Sequence, residues 1–120
     1  MPNHSFLLYV DDPIASAAFY EKLLRATPVE ASPGFAMFAL TAPTMLGLWK
    51  RTDVLPKPTA PAGSNEIGFT VESDAVVDQF FAASKQIGAT VLQEPTLMDF
   101  GYTFTIADPD GHRLRVFAPS

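Results

Sequence analysis

FGYTFTIADPDGHRLRVFAP, residues 100–119, alternates on both sides of an Asp-Pro-Asp-Gly turn and reads as a β-hairpin. Tyr102, Phe104 and Ile106 share one face of the first arm and Thr103 and Thr105 the other, the period of a half-buried strand. Asp110-Gly111 supplies the positive-φ residue that a hairpin turn needs. In the second arm His112, Leu114 and Val116 alternate with Arg113, Arg115 and Phe117. Two cations on one face mean that this face meets either solvent or a polar cavity. The carboxylates of Asp108 and Asp110 flank Pro109 and precede Gly111, which is ordinary turn chemistry rather than an acid–base pair.

Upstream of the hairpin, Glu66 to Val71 reads as a strand and Asp74 to Ile87 as a helix burying Val77, Phe80, Phe81 and Ile87. Gly88 stands where a C-terminal cap belongs, and Ala89 to Gln93 is a short strand. The first half carries the same pattern. His4 to Val10 is a strand, and Asp12-Pro13 opens a helix to about Arg25, with Asp as N-cap and Pro at the first helical position. Ala15, Ala18, Phe19 and Leu23 are the stripe expected to be buried. Phe35 to Leu40 and Met45 to Arg51 are strands, and VLPKPTAPAGSN (54–65) has no periodicity and reads as a linker. An offset of 61 residues pairs Val10 with Val71, Phe19 with Phe80 and Tyr20 with Phe81. The chain is therefore read as a repeat of strand, helix and three strands, with modules at about 1–55 and 66–120 joined by 56–65. One helix per module covers one sheet face and leaves the other open.

Composition sets outer limits. The 120 residues are enough for one compact domain built from two such modules, and 48% apolar against 18% charged residues is a globular balance. No apolar run reaches the roughly 20 residues of a membrane span, and no signal-peptide pattern opens the chain, so a cytoplasmic location is expected. A net charge of −5 argues against nucleic acid as a partner. With no cysteine there is no disulfide, thiolate ligand or cysteine nucleophile.

FLLYVDDPIASAAFY, MLGLWKR, EIGFTV and DPDGHRLRV together resemble the glyoxalase, bleomycin-resistance and extradiol-dioxygenase superfamily, the vicinal oxygen chelate proteins. The resemblance extends over essentially the whole chain and implies an α+β fold of two βαβββ modules, whose curled mixed sheets enclose a shared cavity. It also implies a homodimer in which modules of two chains pair. The metal enzymes of the family place a ligand in the first and last strands of each module. By motif those positions are Ser5, about Gly47, Glu66 and Arg115. Only Glu66 is a credible ligand and Arg115 would repel a divalent ion, so no metal and no other cofactor is expected.

The resemblance thus leads to the branch that confers antibiotic resistance by trapping a flat aromatic or other small hydrophobic molecule without chemistry. Ser5, Leu7 and Tyr9 in the first strand and Trp49 are expected to touch such a ligand in the first module. Glu66, Met98, Phe100, Tyr102, Arg115 and Phe117 are expected to do so in the second, with Glu66 and Arg115 paired as ions. His4, on the opposite strand face from Ser5, and His112, beside the turn, read as surface or turn residues. The rival from another class is an enzyme of the same superfamily: a lyase or dioxygenase with unusual ligands, or a metal-free isomerase with Glu66 as base.

Overall fold

The computed structural model describes residues 4–41 and 43–120, which fall into two compact units meeting between Pro61 and Ala62. Ala42, between the strands expected at Phe35 to Leu40 and Met45 to Arg51, lies outside the described residues. In the first unit, β1 (His4–Val10), α1 (Pro13–Leu24), β2 (Glu30–Ala31), β3 (Phe35–Thr41) and β4 (Thr44–Lys50) form a sheet of order β1-β4-β3-β2. In the second, β5 (Glu66–Thr70), α2 (Asp74–Gln86), β6 (Thr90–Met98), β7 (Gly101–Ala107) and β8 (Arg113–Pro119) give the order β5-β8-β7-β6. Each sheet is mixed: β1 runs parallel to β4 and β5 to β8, and the remaining pairs are antiparallel. The expected curled sheets enclosing a cavity are corrected here. Among the described residues each sheet is an open four-stranded layer whose first and last strands are edges.

Local chemistry starts both helices. Asp12 accepts from the amides of Ile14 and Ala15 at 3.1 and 3.2 Å, with Pro13 behind it, and Ser73 accepts from the Val76 amide at 3.2 Å. Gly88, at φ 81°, follows the end of α2 as the sequence predicts. The phase of α1 departs from expectation. Its buried residues are Pro13, Ser16, Ala17, Tyr20 and Leu23, whereas Ala15 and Ala18 are exposed. Apolar residues surround this helix, so alternative stripes compete. The winning one sets Tyr20 against Phe38, ring centroids 6.4 Å apart, over Leu46 and Leu48. In α2, Val77 and Ser84 are buried and Phe80, Phe81 and Ile87 half-buried, with Phe81 edge-on to Phe104 at 5.3 Å.

The hairpin forms in the anticipated register, from Ala107↔Arg113 to Gly101↔Pro119. Asp108 closes it: its Oδ1 accepts from the amides of Asp110 and His112, each at 2.9 Å, while Gly111 turns at φ 93°. His112 is consequently a buried turn residue, and His4 is exposed. β6 is longer than the expected Ala89 to Gln93. It continues through Pro95, which an edge strand tolerates, with irregular pairing between Gln93 and Thr96. The two-residue β2, too short to have a period, was not expected.

Gly101 enters the hairpin at φ 147°, and a Cβ there would stand 2.9 Å from the Ala118 carbonyl carbon and 3.0 Å from the Pro119 Cα. Both obstacles are backbone and cannot rotate away. Gly101→Ala should therefore destabilise the fold by about 3 kcal/mol, lowering the melting temperature by roughly 10 °C or more. A calorimetric shift under about 2 °C would contradict this account of the hairpin.

Candidate functional site

Each helix covers one face of its sheet, and the side chains on the opposite face constitute the candidate site. In the first module Leu8 and Val10 of β1, Ala36 and Phe38 of β3, and Leu46 and Leu48 of β4 are buried on the helix side. Strand alternation therefore brings Ser5, Leu7, Tyr9, Phe35, Met37, Gly47 and Trp49 to the open side. Tyr9 meets Trp49 edge to face, centroids 6.2 Å apart at 81°, and Trp49 stands opposite Phe35 in the sheet register. A Cβ on Gly47 would come 2.5 Å from Leu7 Cδ2 and 3.0 Å from Phe35 Cζ. Hydrocarbon thus occupies the space above Gly47. Phe35 and Met37 were not anticipated, although the parity of β3 with Trp49 carries them.

The corresponding face of the second module is polar. Arg115 Nε donates to Glu66 Oε1 at 2.6 Å, forming the ion pair that the sequence leads one to expect. Arg115 Nη1 also donates to Gln93 Oε1 at 3.1 Å and Thr103 Oγ1 at 3.2 Å. Thr103 is fully buried and donates in turn to the Val116 carbonyl at 2.9 Å, while Thr105 donates to Gln93 Oε1 at 3.3 Å. Phe100 lies 5.7 Å from the guanidinium carbon and edge-on to Phe117, also at 5.7 Å. Met98 accepts from Gln93 Nε2 at 3.4 Å. Gln93, Thr103 and Thr105 were missed as site residues. The alternation of Thr103 and Thr105 against Phe104 was the available signal.

The register also relates the two faces. Leu7 stands beside Gly47 and Gly68 beside Arg115, and Leu7 and Gly68 are themselves related by the 61-residue repeat. Gly47 and Arg115 are therefore equivalent positions in the two modules, as are Ser5 and Glu66. In the pair Ser5/Gly47 the first module offers one hydroxyl; in Glu66/Arg115 the second offers a carboxylate already engaged by a cation. Among the described residues no group of three or more His, Asp or Glu side chains could hold a metal ion. These residues do not fit a divalent metal.

Tyr102 belongs elsewhere. It lies on the helix side with Phe104 and Ile106, and its phenol donates to Asp78 Oδ1 of α2 at 2.7 Å. Including it among the ligand-contacting residues is thus corrected by strand parity. Leu7, Tyr9 and Trp49 remain together on one face, and Glu66, Arg115 and Phe117, with Phe100 and Met98 beside them, on the other.

With this geometry in view, comparison with known proteins identifies the class. Residues 3–116 match the family model of the Glyoxalase/Bleomycin resistance protein/Dioxygenase superfamily, and the chain belongs to that superfamily. It is similar to the phenazine antibiotic resistance protein EhpR of Enterobacter agglomerans, 32% identical over 113 residues that cover 92% of this chain and 86% of that protein. Protein ATC0852 of Agrobacterium tumefaciens, solved by solution NMR, is 50% identical with a TM-score of 0.88, covering 100% of this chain and 99% of its own. A glyoxalase-related enzyme from Fulvimarina pelagi, at 20% identity and TM-score 0.88 over 98% of this chain and 88% of its own, shares the fold.

The Asp78 contact has a measurable consequence. Its hydrogen bond first, then burial and the negative charges of Asp78 and Asp74, raise the Tyr102 phenol above the usual 10.0. Because the folded value is raised, this contact's stabilisation is present below the unfolded phenol's pKa and is lost as pH rises through the folded one. Spectrophotometric titration of the three tyrosines should show a late tyrosinate transition that Tyr102→Phe removes and Asp78→Asn moves downward. A Tyr102→Phe titration that keeps the late transition would contradict the assignment.

Proposed function

We propose that this chain binds a flat aromatic small molecule on its open sheet faces without a metal ion. The observation that carries the reading is Arg115 donating to Glu66 at 2.6 Å. In the metal-enzyme arrangement that the superfamily implies, those two positions would be ligands. Here one is a fixed cation and the other its counter-ion. Tyr9, Trp49 and Phe35, and on the second module Phe100 and Phe117, supply ring surfaces of the kind that planar ligands stack upon. Similarity to a phenazine antibiotic resistance protein supports a heteroaromatic antibiotic as the ligand class and sequestration as the purpose. Burying about 300 Å² of ligand at about 25 cal/mol/Å² is worth roughly 7–8 kcal/mol. Association entropy reduces that figure and stacking adds about 0.5–1.5 kcal/mol, so dissociation constants near micromolar are within reach.

Phenazine is the first probe. Titration should quench the fluorescence of Trp49, the one tryptophan, and calorimetry should return a dissociation constant on the order of 1–10 µM. Trp49→Leu should weaken binding about tenfold or less, the worth of one ring contact. Calorimetry showing no binding across a panel of flat heteroaromatics would sink the reading. So would elemental analysis, after growth with added metals, finding close to one zinc, nickel, iron or manganese per chain. That result would favour the lyase or dioxygenase alternative.

We propose further that the chain acts as a homodimer, the first module of one copy facing the second module of another. Support comes from apolar side chains left about half-exposed on or beside the open faces, among them Leu7 at 47%, Met98 at 41% and Phe100 at 44%. Light scattering at micromolar concentration should give twice the 13.0 kDa chain mass. A monomer mass would refute it.

A further inference from the structure

We infer that the ligand carries a carboxylate and that Arg115 Nη2 receives it, an inference that rests on the binding role proposed above. A guanidinium has five N–H donors. In Arg115, Nε–H is given to Glu66 and the two Nη1 donors to Gln93 and Thr103, at 2.6, 3.1 and 3.2 Å. Both donors of Nη2 have no acceptor among the described residues. The group bearing them is fixed: Glu66, Gln93 and Thr103 hold its position from two of the three nitrogens, and Phe100 stands 5.7 Å away. A donor edge locked in place before the ligand arrives costs little ordering on binding. Its side chain keeps 18% of its exposure, so the edge is narrow but reachable.

Charge selects which acceptor suits it. Strand parity puts Arg113 on the same side of β8 as Arg115, and β5 brings Glu66 directly opposite Arg113 in register. These adjacent strands therefore contribute two guanidiniums and one carboxylate to this face. Arg113 is exposed and has no ion-pair partner among the described residues. One further negative charge brings the group to neutrality, in a chain whose net charge is −5 and which has only eight basic residues to place. A neutral carbonyl would satisfy Nη2 but leave the second cation uncompensated. A ring-bound carboxylate satisfies Nη2 and brings the summed charge of these residues to zero, with its ring toward Phe100, 5.7 Å from that guanidinium.

The test compares phenazine with phenazine-1-carboxylate by calorimetry at low ionic strength, where charge effects are least screened. The unaltered protein should bind the carboxylate about tenfold more tightly, equivalent to about 1.4 kcal/mol for a charge-assisted hydrogen bond. In Arg115→Gln the ratio of the two affinities should fall to about one, whatever happens to each alone. Arg115→Lys, which keeps the charge without the second amino group, repeats the test if the glutamine variant does not fold. There the ratio should fall to about three. Equal affinities in the unaltered protein, or a tenfold ratio surviving in either folded variant, would overturn the carboxylate assignment while leaving aromatic binding intact. Failure of both compounds to bind would instead overturn the underlying binding role and this inference with it.

Discussion

A four-stranded sheet with one helix can hide one of its faces, and that limit governs both modules. The helix side takes the residues that must be dry: Leu8, Val10, Phe38, Leu46 and Leu48 with Tyr20, and Phe104, Ile106, Leu114 and Val116 with Val77, each under a tenth exposed. Every second residue is thereby sent to the other side, because the side-chain period of a strand is two. The open faces are thus a by-product of core formation. The fold obtains an open side-chain surface without dedicating a loop to it.

What the two modules place on that surface differs although the backbone register is the same. Position for position, the first has Ser5 and Gly47 where the second has Glu66 and Arg115. Gly47 leaves room that Leu7 and Phe35 fill, giving an apolar aromatic floor. Arg115 builds upward, drawing in Gln93, Thr103 and Thr105. The buried Thr103 hydroxyl is satisfied twice, accepting from Arg115 and donating to Val116, so the polar cluster carries no unpaired buried group among the described residues. The Glu66 side chain is 37% exposed, which keeps the ion pair's own contribution to stability modest, about 1 kcal/mol or less. Its importance is positional.

Much of this arrangement could be read from residue order, for reasons that differ by element. The hairpin was legible because Asp108, Asp110 and Gly111 encode a turn and the flanking residues alternate strictly. The ion pair was legible through the family resemblance: its matched ligand positions fall on Glu66 and Arg115, whose opposite charges then meet, whereas parity alone would have admitted Arg113 as well. The face of α1 was not legible, since Ala15, Ala17, Ala18, Phe19 and Tyr20 satisfy several stripes and only packing against Phe38 selects one. Tyr102 was expected among the ligand-contacting residues because an aromatic in that hairpin attracts the role, whereas its observed partner, Asp78, lies 24 residues away. Gln93 was hidden for a related reason. Its value lies in an acceptor oxygen that meets Arg115 only after β6 has docked on β7.

The irregular middle of β6 affects how copies of this chain can associate. As the outer strand of its sheet, β6 would be the natural template for another strand to add to, growing an intermolecular ladder. Pro95 has no amide hydrogen to offer such a ladder, and the shift between Gln93 and Thr96 breaks the even spacing of those that remain. Runaway stacking, of the kind that ends in fibrils, is therefore obstructed at the strand with the most exposed apolar side chains: Val91, Leu92, Leu97 and Met98. The proline that makes β6 hard to recognise as a strand also denies that edge an amide hydrogen for strand addition.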